Sequence, residues 1–289
     1  MALRRRRNKV CTPYDEVTRI VFAAGEQSKN LTVLGQVYDE LARAGLTRSD
    51  LILTLGGGVP GDLGGFAAAT FLRGIDFIQV PTSLLAQIDS SVGGKVAIDL
   101  PSGKNLAGSF YQPKAVFIDP DLLKTLPLRF LHDGLAEAIK YGCIRDAGLF
   151  AQIAAVKSDQ ELLEQADIII ETCCNIKARI VEKDEFDTGE RMLLNFGHTI
   201  GHAIEKCCGF TTYTHGEGVG IGMVQLTRQT EKLARMSPDQ LVRELHVHYT
   251  GGEGVVPALQ TNLALSRRFG DDAIWVPEGD FHFELMLDL

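Results

Sequence analysis

The sequence predicts a chain in two parts, an α/β first part built on a parallel sheet and a second part made of helices. Three observations carry this reading. Short apolar runs alternate with amphipathic stretches through about the first 120 residues, the pattern left by strand–helix–strand units. A glycine cluster, Gly56-Gly-Gly58, joins one such run directly to the next helical stretch. After Asp119 the strand-like runs cease and apolar residues recur at helical spacing.

Residues 16–22 read as a short strand. Residues 30–44 read as a helix, with Leu31, Leu34, Val37, Tyr38 and Leu41 at helical spacing and Gly45 closing it. Leu51-Ile-Leu-Thr-Leu55 is a buried-strand run leading into Gly56-Gly-Gly-Val-Pro-Gly-Asp62, with a helix expected over 63–72. A strand, a glycine-rich turn and a helix in this order let backbone amides and a helix N-terminus meet a phosphate. The same letters also make a plain turn, because the GxGxxG order is absent.

Phe77 to Val80 forms the next strand, Pro81 ends it, and Thr82 opens a helix through Ser90 that carries Asp89. Ser91-Val-Gly-Gly-Lys95 and Asp99-Leu-Pro-Ser-Gly-Lys-Asn105 read as loop, with two lysines among glycines and a proline. Residues 115–118 form a fourth strand. Helices are then expected over 122–145, 149–157, 160–185, 193–207 and 216–236. Residues 239–245 have a helical pattern, whereas 246–289 have no period and stay unassigned. The domain division expected is 1–120 and 121–289.

The chain has 289 residues, 45% of them apolar, and a formal charge of −8. A polyanion needs a basic surface, so nucleic acid is not the expected partner. A small anion stays open, since a few local lysines and arginines override the global sign. No apolar run approaches the roughly 18 residues of a membrane span. The basic start, Met1 to Lys9, lacks the apolar core of a secretory signal and reads as disordered. The cysteines fall at Cys11, Cys143, Cys173, Cys174, Cys207 and Cys208 with no CxxC, which suits reduced thiols in a cytoplasmic protein.

The densest chemistry lies in Arg191-Met-Leu-Leu-Asn-Phe-Gly-His-Thr-Ile-Gly-His-Ala-Ile-Glu205 and the Thr214-His-Gly-Glu217 turn after it. His198 and His202 are four apart, so a helix sets both imidazoles on one face, the spacing of two nitrogen ligands for a divalent metal. His215 is close enough to supply a third. The plain alternative is two ordinary helix histidines. Gly197 and Gly201 bracket the pair, each costing a helix interior roughly 1 kcal/mol against Ala, which suits a ligand or another backbone coming close.

Taken together, the ordered blocks resemble the 3-dehydroquinate synthase family. These are Gly25-Glu-Gln-Ser-Lys-Asn30, Gly56 to Asp62, Arg73-Gly74, Pro81 to Lys95, Gly103-Lys-Asn105, Gly134-Leu-Ala-Glu-Ala-Ile-Lys-Tyr-Gly142, Asn195 to His202 and His215-Gly-Glu217, spread from about Gly25 to Arg228. The resemblance implies an N-terminal Rossmann-like NAD-binding α/β domain, an all-α C-terminal metal-binding domain, and NAD with a divalent metal, zinc or cobalt, as cofactors. By the family pattern Glu137, His198 and His215 are the metal ligands, and His202 stands near the substrate as a non-ligand. Arg73, Asp89, Lys95, Lys104, Asn105, Lys140, Lys177, Arg191 and Asn195 match the substrate set, among which Lys95, Lys140, Arg191 and Asn195, with His202, carry the catalysis. Glu26, Lys29, Gly57, Gly58, Asp62, Thr82, Ser83 and Thr125 match positions around NAD, where Asp89, Lys95 and Lys104 also belong.

The implied activity converts 3-deoxy-D-arabino-heptulosonate 7-phosphate to 3-dehydroquinate and phosphate, a step of the shikimate pathway. A small anionic sugar phosphate is then the partner, with no nucleic acid and no membrane, and a homodimer is expected. Departures from the family lie at both ends: the usual first strand and helix are not recognisable, and the Asp-Lys-Lys motif of the C-terminal segment is missing, with no lysine after Lys232. Asp187 stands where a Glu is common. The rival readings are a related sugar phosphate cyclase, a metal-dependent polyol or alcohol dehydrogenase, and a truncated product without turnover.

Overall fold

The computed structural model describes residues 2–4, 17–208 and 212–234. The expectations for 239–245 and 246–289 fall outside them. The chain divides into two compact units, Met1–Ala138 with Gln152–Phe186, and Ile139–Ala151 with Asp187–Leu289.

The first unit holds a five-stranded sheet of order β2-β1-β3-β4-β7, formed by β1 (Ala2–Arg4), β2 (Val17–Arg19), β3 (Leu51–Gly56), β4 (Asp76–Pro81) and β7 (Ala115–Val116). β3 and β4 run parallel from Leu51 opposite Asp76 to Gly56 opposite Pro81, and β7 is parallel to β4. β1 is antiparallel to both β2 and β3. The sheet is therefore mixed rather than wholly parallel, and Ala2–Arg4 is paired strand where a disordered start was expected.

Helix α1 (Leu31–Arg43) is N-capped by Asn30, whose side chain accepts from the Val33 amide. Leu34, Val37 and Leu41 on it are buried against Ile52, Leu63, Ala67, Phe77, Val96 and Ile98. Helix α2 (Gly58–Thr70) begins two residues after β3 ends, so the glycine cluster supplies the helix's first turn and not only a loop before it. Pro60 sits in that first turn, where its missing N–H costs nothing. Gly56 has a φ of +148°, which only glycine adopts freely, and a Cβ there would meet Pro60 at 2.6 Å. Gly65 lets α2 lie close on Val96 and on Phe77 of β4: a Cβ would reach Val96 Cγ1 at 2.4 Å and Phe77 Cε2 at 3.1 Å.

β5 (Lys95–Leu100) and β6 (Gly103–Phe110) form an antiparallel hairpin, bulged between Ile98 and Leu100. This corrects the loop expected over 99–105, most of which is strand. The period-2 burial of Val96 and Ile98 was present in the letters, but the glycines and Pro101 around it read as loop. The helix expected over 82–90 widens into a π-helix at Ala86–Ser90, a geometry that recurs at functional sites.

After a 3-10 turn, Pro120–Thr125, come α3 (Leu128–Arg145), α4 (Ala147–Ala155), α5 (Asp159–Glu164) and α6 (Ala166–Lys183). The helices expected over 122–145 and 160–185 are thus each two elements, and so is the one expected over 193–207. Pro127 separates the turn from α3, and Gln165 falls between α5 and α6. In the second unit a 3-10 turn, Glu190–Asn195, precedes α7 (His198–Cys207), and α8 (His215–Ala234) packs against α7. Gly197 is the N-cap of α7 with a φ of +83°, so its glycine serves a left-handed turn and not a helix interior. Gly201 is interior, and the close neighbour is another backbone: a Cβ there would lie 2.9 Å from the Val219 amide. The described cysteines, Cys143, Cys173, Cys174, Cys207 and Cys208, form no disulfide.

Candidate active site

In the first unit the chain gathers Glu26, Lys29, Asp62, Lys104 and Asn105 around one buried lysine. Lys29, 5% exposed, pairs with Asp62 at 2.6 Å and lies 3.6 Å from Glu26. Its ammonium also donates to Asn105 Oδ1 at 2.5 Å, and Lys104 stands 4.0 Å from Glu26. Asn105 has a φ of +57°, which Asn tolerates better than most residues. Its amide donates to Asp99 Oδ1, and the Asp99 amide donates to the Lys29 carbonyl. Asp99 is a positioning residue that the letters did not single out.

Burial pushes the Asp62 carboxyl up to about 6, against the pull of Lys29 in the other direction. Burial alone would lower Lys29, but Asp62 and Glu26 together raise it.

Beside this cluster, Gly57 and Gly58 open α2. Gly57 has a φ of −74°, and a Cβ on it would make only ordinary contact, 3.4 Å, with Ser83 Oγ. A Cβ on Gly58 would meet Ser90 Oγ at 3.3 Å. Neither backbone nor packing demands glycine at 57, so what its size keeps open is space before a helix N-terminus. Such a cradle suits a pyrophosphate. Thr82 donates its amide to the Gly56 carbonyl, and Ser83 Oγ accepts from the Ala86 amide, which fixes this edge of the cradle. Gln87, fully buried, donates from Nε2 to the carbonyls of Pro81 at 3.3 Å and Asp119 at 2.9 Å. It ties the end of β4 to the turn that carries Thr125, a role that the sequence reading missed.

Lys177 on α6 is buried and donates to the Asp89 carbonyl at 2.7 Å while pairing with the Asp89 carboxylate. One turn earlier the Cys174 thiol donates to the Gln87 carbonyl, and burial raises it to about 11. Arg73 lies elsewhere on this unit, exposed on a turn where it and Leu72 both have positive φ. Lys95 is exposed at the start of β5 and Thr125 exposed in its turn, and Glu137 is fully buried on α3.

The second unit carries Lys140, Arg191, Asn195, His198, His202 and His215. Lys140 and Arg191 are buried at 1% and 2% exposure. Arg145 pairs with Glu190, which anchors the turn that holds Arg191 and Asn195. The three imidazoles cluster: ring centroids stand 5.4 Å apart for His198 and His202, 5.1 Å for His198 and His215, and 5.8 Å for His202 and His215. One donor atom of His198 and one of His215 lie within 4.8 Å of each other, a separation that two ligands of one cation can take up.

His215 opens α8 inside a capping box. The Thr214 amide donates to Glu217 Oε2 at 2.9 Å, and the Glu217 amide reaches Thr214 Oγ1 at 3.4 Å. Thr-x-x-Glu before a helix is a readable signal, and it places the histidine at the first helical position. Glu205, buried on α7, lies 3.6 Å from His215 Nδ1 and was not among the expected site residues.

Known proteins resemble both parts of the chain. Residues 19–133 match the model for the 3-dehydroquinate synthase N-terminal domain and residues 134–258 the model for its C-terminal domain. A curated 3-dehydroquinate synthase from Clostridium acetobutylicum is 61% identical over 218 residues, 75% of this chain and 61% of that protein. The chain thus spans about three fifths of the length of the curated relatives it matches. Among solved structures, 2-deoxy-scyllo-inosose synthase complexed with carbaglucose-6-phosphate, NAD+ and Co2+ aligns with a TM-score of 0.65 and 29% identity, over 77% of this chain and 61% of that one. The 2-epi-5-epi-valiolone synthase of Streptomyces hygroscopicus with NAD+ and Zn2+ bound aligns with a TM-score of 0.69 and 26% identity, over 89% and 78%. With both halves matched in order by the two domain models, the chain belongs to the 3-dehydroquinate synthase family.

Proposed function

We propose that the chain carries the activity of 3-dehydroquinate synthase, a carbon–oxygen lyase that converts 3-deoxy-D-arabino-heptulosonate 7-phosphate to 3-dehydroquinate and inorganic phosphate. The observation that carries this reading is the 61% identity to a curated enzyme of that name, against 29% and 26% to cyclases with other products. In this reading Glu137, His198 and His215 hold a divalent cation, zinc or cobalt. The glycine turn at Gly57 and Gly58, the α2 N-terminus and the Glu26, Lys29, Asp62 cluster hold NAD, with Thr82, Ser83 and Thr125 around it.

A cation held there would supply Lewis-acid chemistry at a substrate hydroxyl, and NAD would supply reversible hydride chemistry with no net oxidation. The chain's own side chains do the rest. Arg191 presents a planar fork that suits the substrate carboxylate, while Lys95, Lys104 and Lys140 act as point charges for the phosphate, joined by Arg73. Asp89 and Lys177, held as a pair, orient hydroxyls by accepting and donating. Asn105 and Asn195 add neutral hydrogen bonds. His202 moves a proton at a substrate oxygen. Oxidation acidifies the neighbouring C–H, which permits loss of phosphate before reduction and intramolecular aldol closure.

A polyol dehydrogenase would share the glycine turn and the histidines but has no use for so many cations. A homodimer in the cytoplasm completes the proposal. Purified chain with zinc or cobalt, NAD and the heptulosonate phosphate is expected to release inorganic phosphate without accumulating NADH. Absence of phosphate release at saturating cofactor would falsify the synthase reading, and steady NADH formation from simple polyols would replace it with the dehydrogenase.

A further inference from the structure

We propose that Glu205 is the positioning residue for His215, setting which ring nitrogen of that histidine faces the cation. The inference rests on the proposed metal site. Glu205 is 4% exposed on α7, and its Oε2 lies 3.6 Å from His215 Nδ1. Taking a carboxylate out of water costs several kcal/mol unless a nearby group favours it. A purely packed position would take an apolar side chain, so the carboxylate at 205 has a partner to serve.

The backbone that carries the ring is held in place. The capping box of Thr214 and Glu217 fixes the backbone on either side of His215. Gly201 and Gly218 bring α7 and α8 to backbone contact: a Cβ on Gly218 would lie 3.1 Å from the Gly201 carbonyl. At that spacing a glutamate on α7 reaches the first residue of α8. A carboxylate facing Nδ1 keeps the proton on that nitrogen and leaves Nε2 with the lone pair that a cation needs. The same carboxylate makes the neutral ring a stronger donor.

His202 gives a competing account of the geometry, because donor atoms of His202, Glu205 and His215 all lie within 4.8 Å of one another. In that account Glu205 and His202 would themselves ligate a second cation. The positioning role is the better supported, since the ion-pair contact within 4.0 Å is to Nδ1 of a residue of the proposed first set and His202 is exposed.

The test uses full-length metal-free chain titrated with Co2+, with binding read from visible absorption and from competition with a chelator, and with circular dichroism as the folding control. Wild type is expected to take one equivalent, and His215→Ala to take none. Glu205→Gln is expected to bind about 10–100-fold more weakly with an altered cobalt spectrum, Glu205→Asp to recover part of the affinity, and His202→Ala to keep the wild-type constant. A Glu205→Gln chain with wild-type affinity and spectrum would overturn the inference while leaving the metal site standing. Two equivalents in wild type, one of them lost in both His202→Ala and Glu205→Gln, would assign Glu205 as a ligand and overturn it too. No binding by wild type would overturn the metal site and the inference together.

Discussion

Gly201 of α7 and Val219 of α8 meet backbone to backbone, so closely that a Cβ at Gly201 would lie 2.9 Å from the Val219 amide nitrogen and 3.0 Å from the Gly218 carbonyl carbon. The atoms in the way are main chain, which cannot swing aside as a side-chain end can. Gly201→Ala is therefore expected to separate the two helices and cost about 1–3 kcal/mol, despite alanine's better helix propensity. Gly220 on the same α8 is the control, since nothing lies within 4 Å of a Cβ there. Gly220→Ala is expected to be neutral or to gain up to about 1 kcal/mol. Urea midpoints of the two variants decide the matter, and equal behaviour would mean that the helix contact is looser than described.

The second prediction separates fold from ligand at the start of α2. Because a Cβ at position 57 makes only an ordinary 3.4 Å contact with Ser83 Oγ, Gly57→Ala is expected to shift the melting temperature little. If the space is kept open for a pyrophosphate, the same variant loses NAD affinity by at least about tenfold, some 1.4 kcal/mol. Gly56→Ala behaves differently. Its positive φ and the 2.6 Å approach to Pro60 make the change destabilising before any ligand is added. Calorimetric NAD titration beside thermal melts distinguishes the two.

Lys29 and Asp62 give a prediction with a pH sign. Burial holds the Asp62 carboxyl at about 6, above the usual value near 4, while Lys29 pulls it down. Between those values the folded chain binds a proton that the unfolded chain does not, so this group's contribution to stability falls as pH rises through roughly 4 to 6. Lys29→Met removes the cation that lowers it, and Asp62 must then stay charged at pH 8 in a buried place with less support. The loss is expected to be about 3 kcal/mol at pH 8 and clearly smaller at pH 5, where Asp62 is already neutral. Lys29→Met/Asp62→Leu is expected to recover most of it. Denaturation curves showing the same loss at both pH values would refute the account.

Much of this site was readable as letters because its parts are local. The strand, glycine turn and helix around Gly57, the one-turn spacing of His198 and His202, and Thr214-His-Gly-Glu217 are each set by neighbours in sequence. What escaped depends on distant partners or on competing signals. The β5–β6 hairpin alternates correctly at Val96 and Ile98, but Pro101 and the glycines beside it read as loop. Gly197 and Gly201 looked alike, yet one caps a helix and the other admits a second backbone. Glu205, Asp99 and Gln87 carry no motif of their own. Their roles come from His215, Asn105 and Asp119, which only folding brings near, 10, 6 and 32 residues away.

Lys177 offers the last test, because α6 gives it two partners on one residue. Its ammonium donates to the Asp89 carbonyl and pairs with the Asp89 carboxylate, and it is 7% exposed. Cys174, one turn before it, is held as a thiol by burial, at about 11, so it adds no charge at neutral pH. Lys177→Met therefore removes a cation that faces Asp89. Phosphate release is expected to fall at least about a hundredfold, on the order of 2.7 kcal/mol in the barrier, with Lys177→Arg restoring the charge but not the point geometry and recovering only part. A structural role alone would lower the melting temperature and leave kcat of the folded fraction near wild type. The outcome that counts against the proposed role is a stable Lys177→Met chain with undiminished turnover.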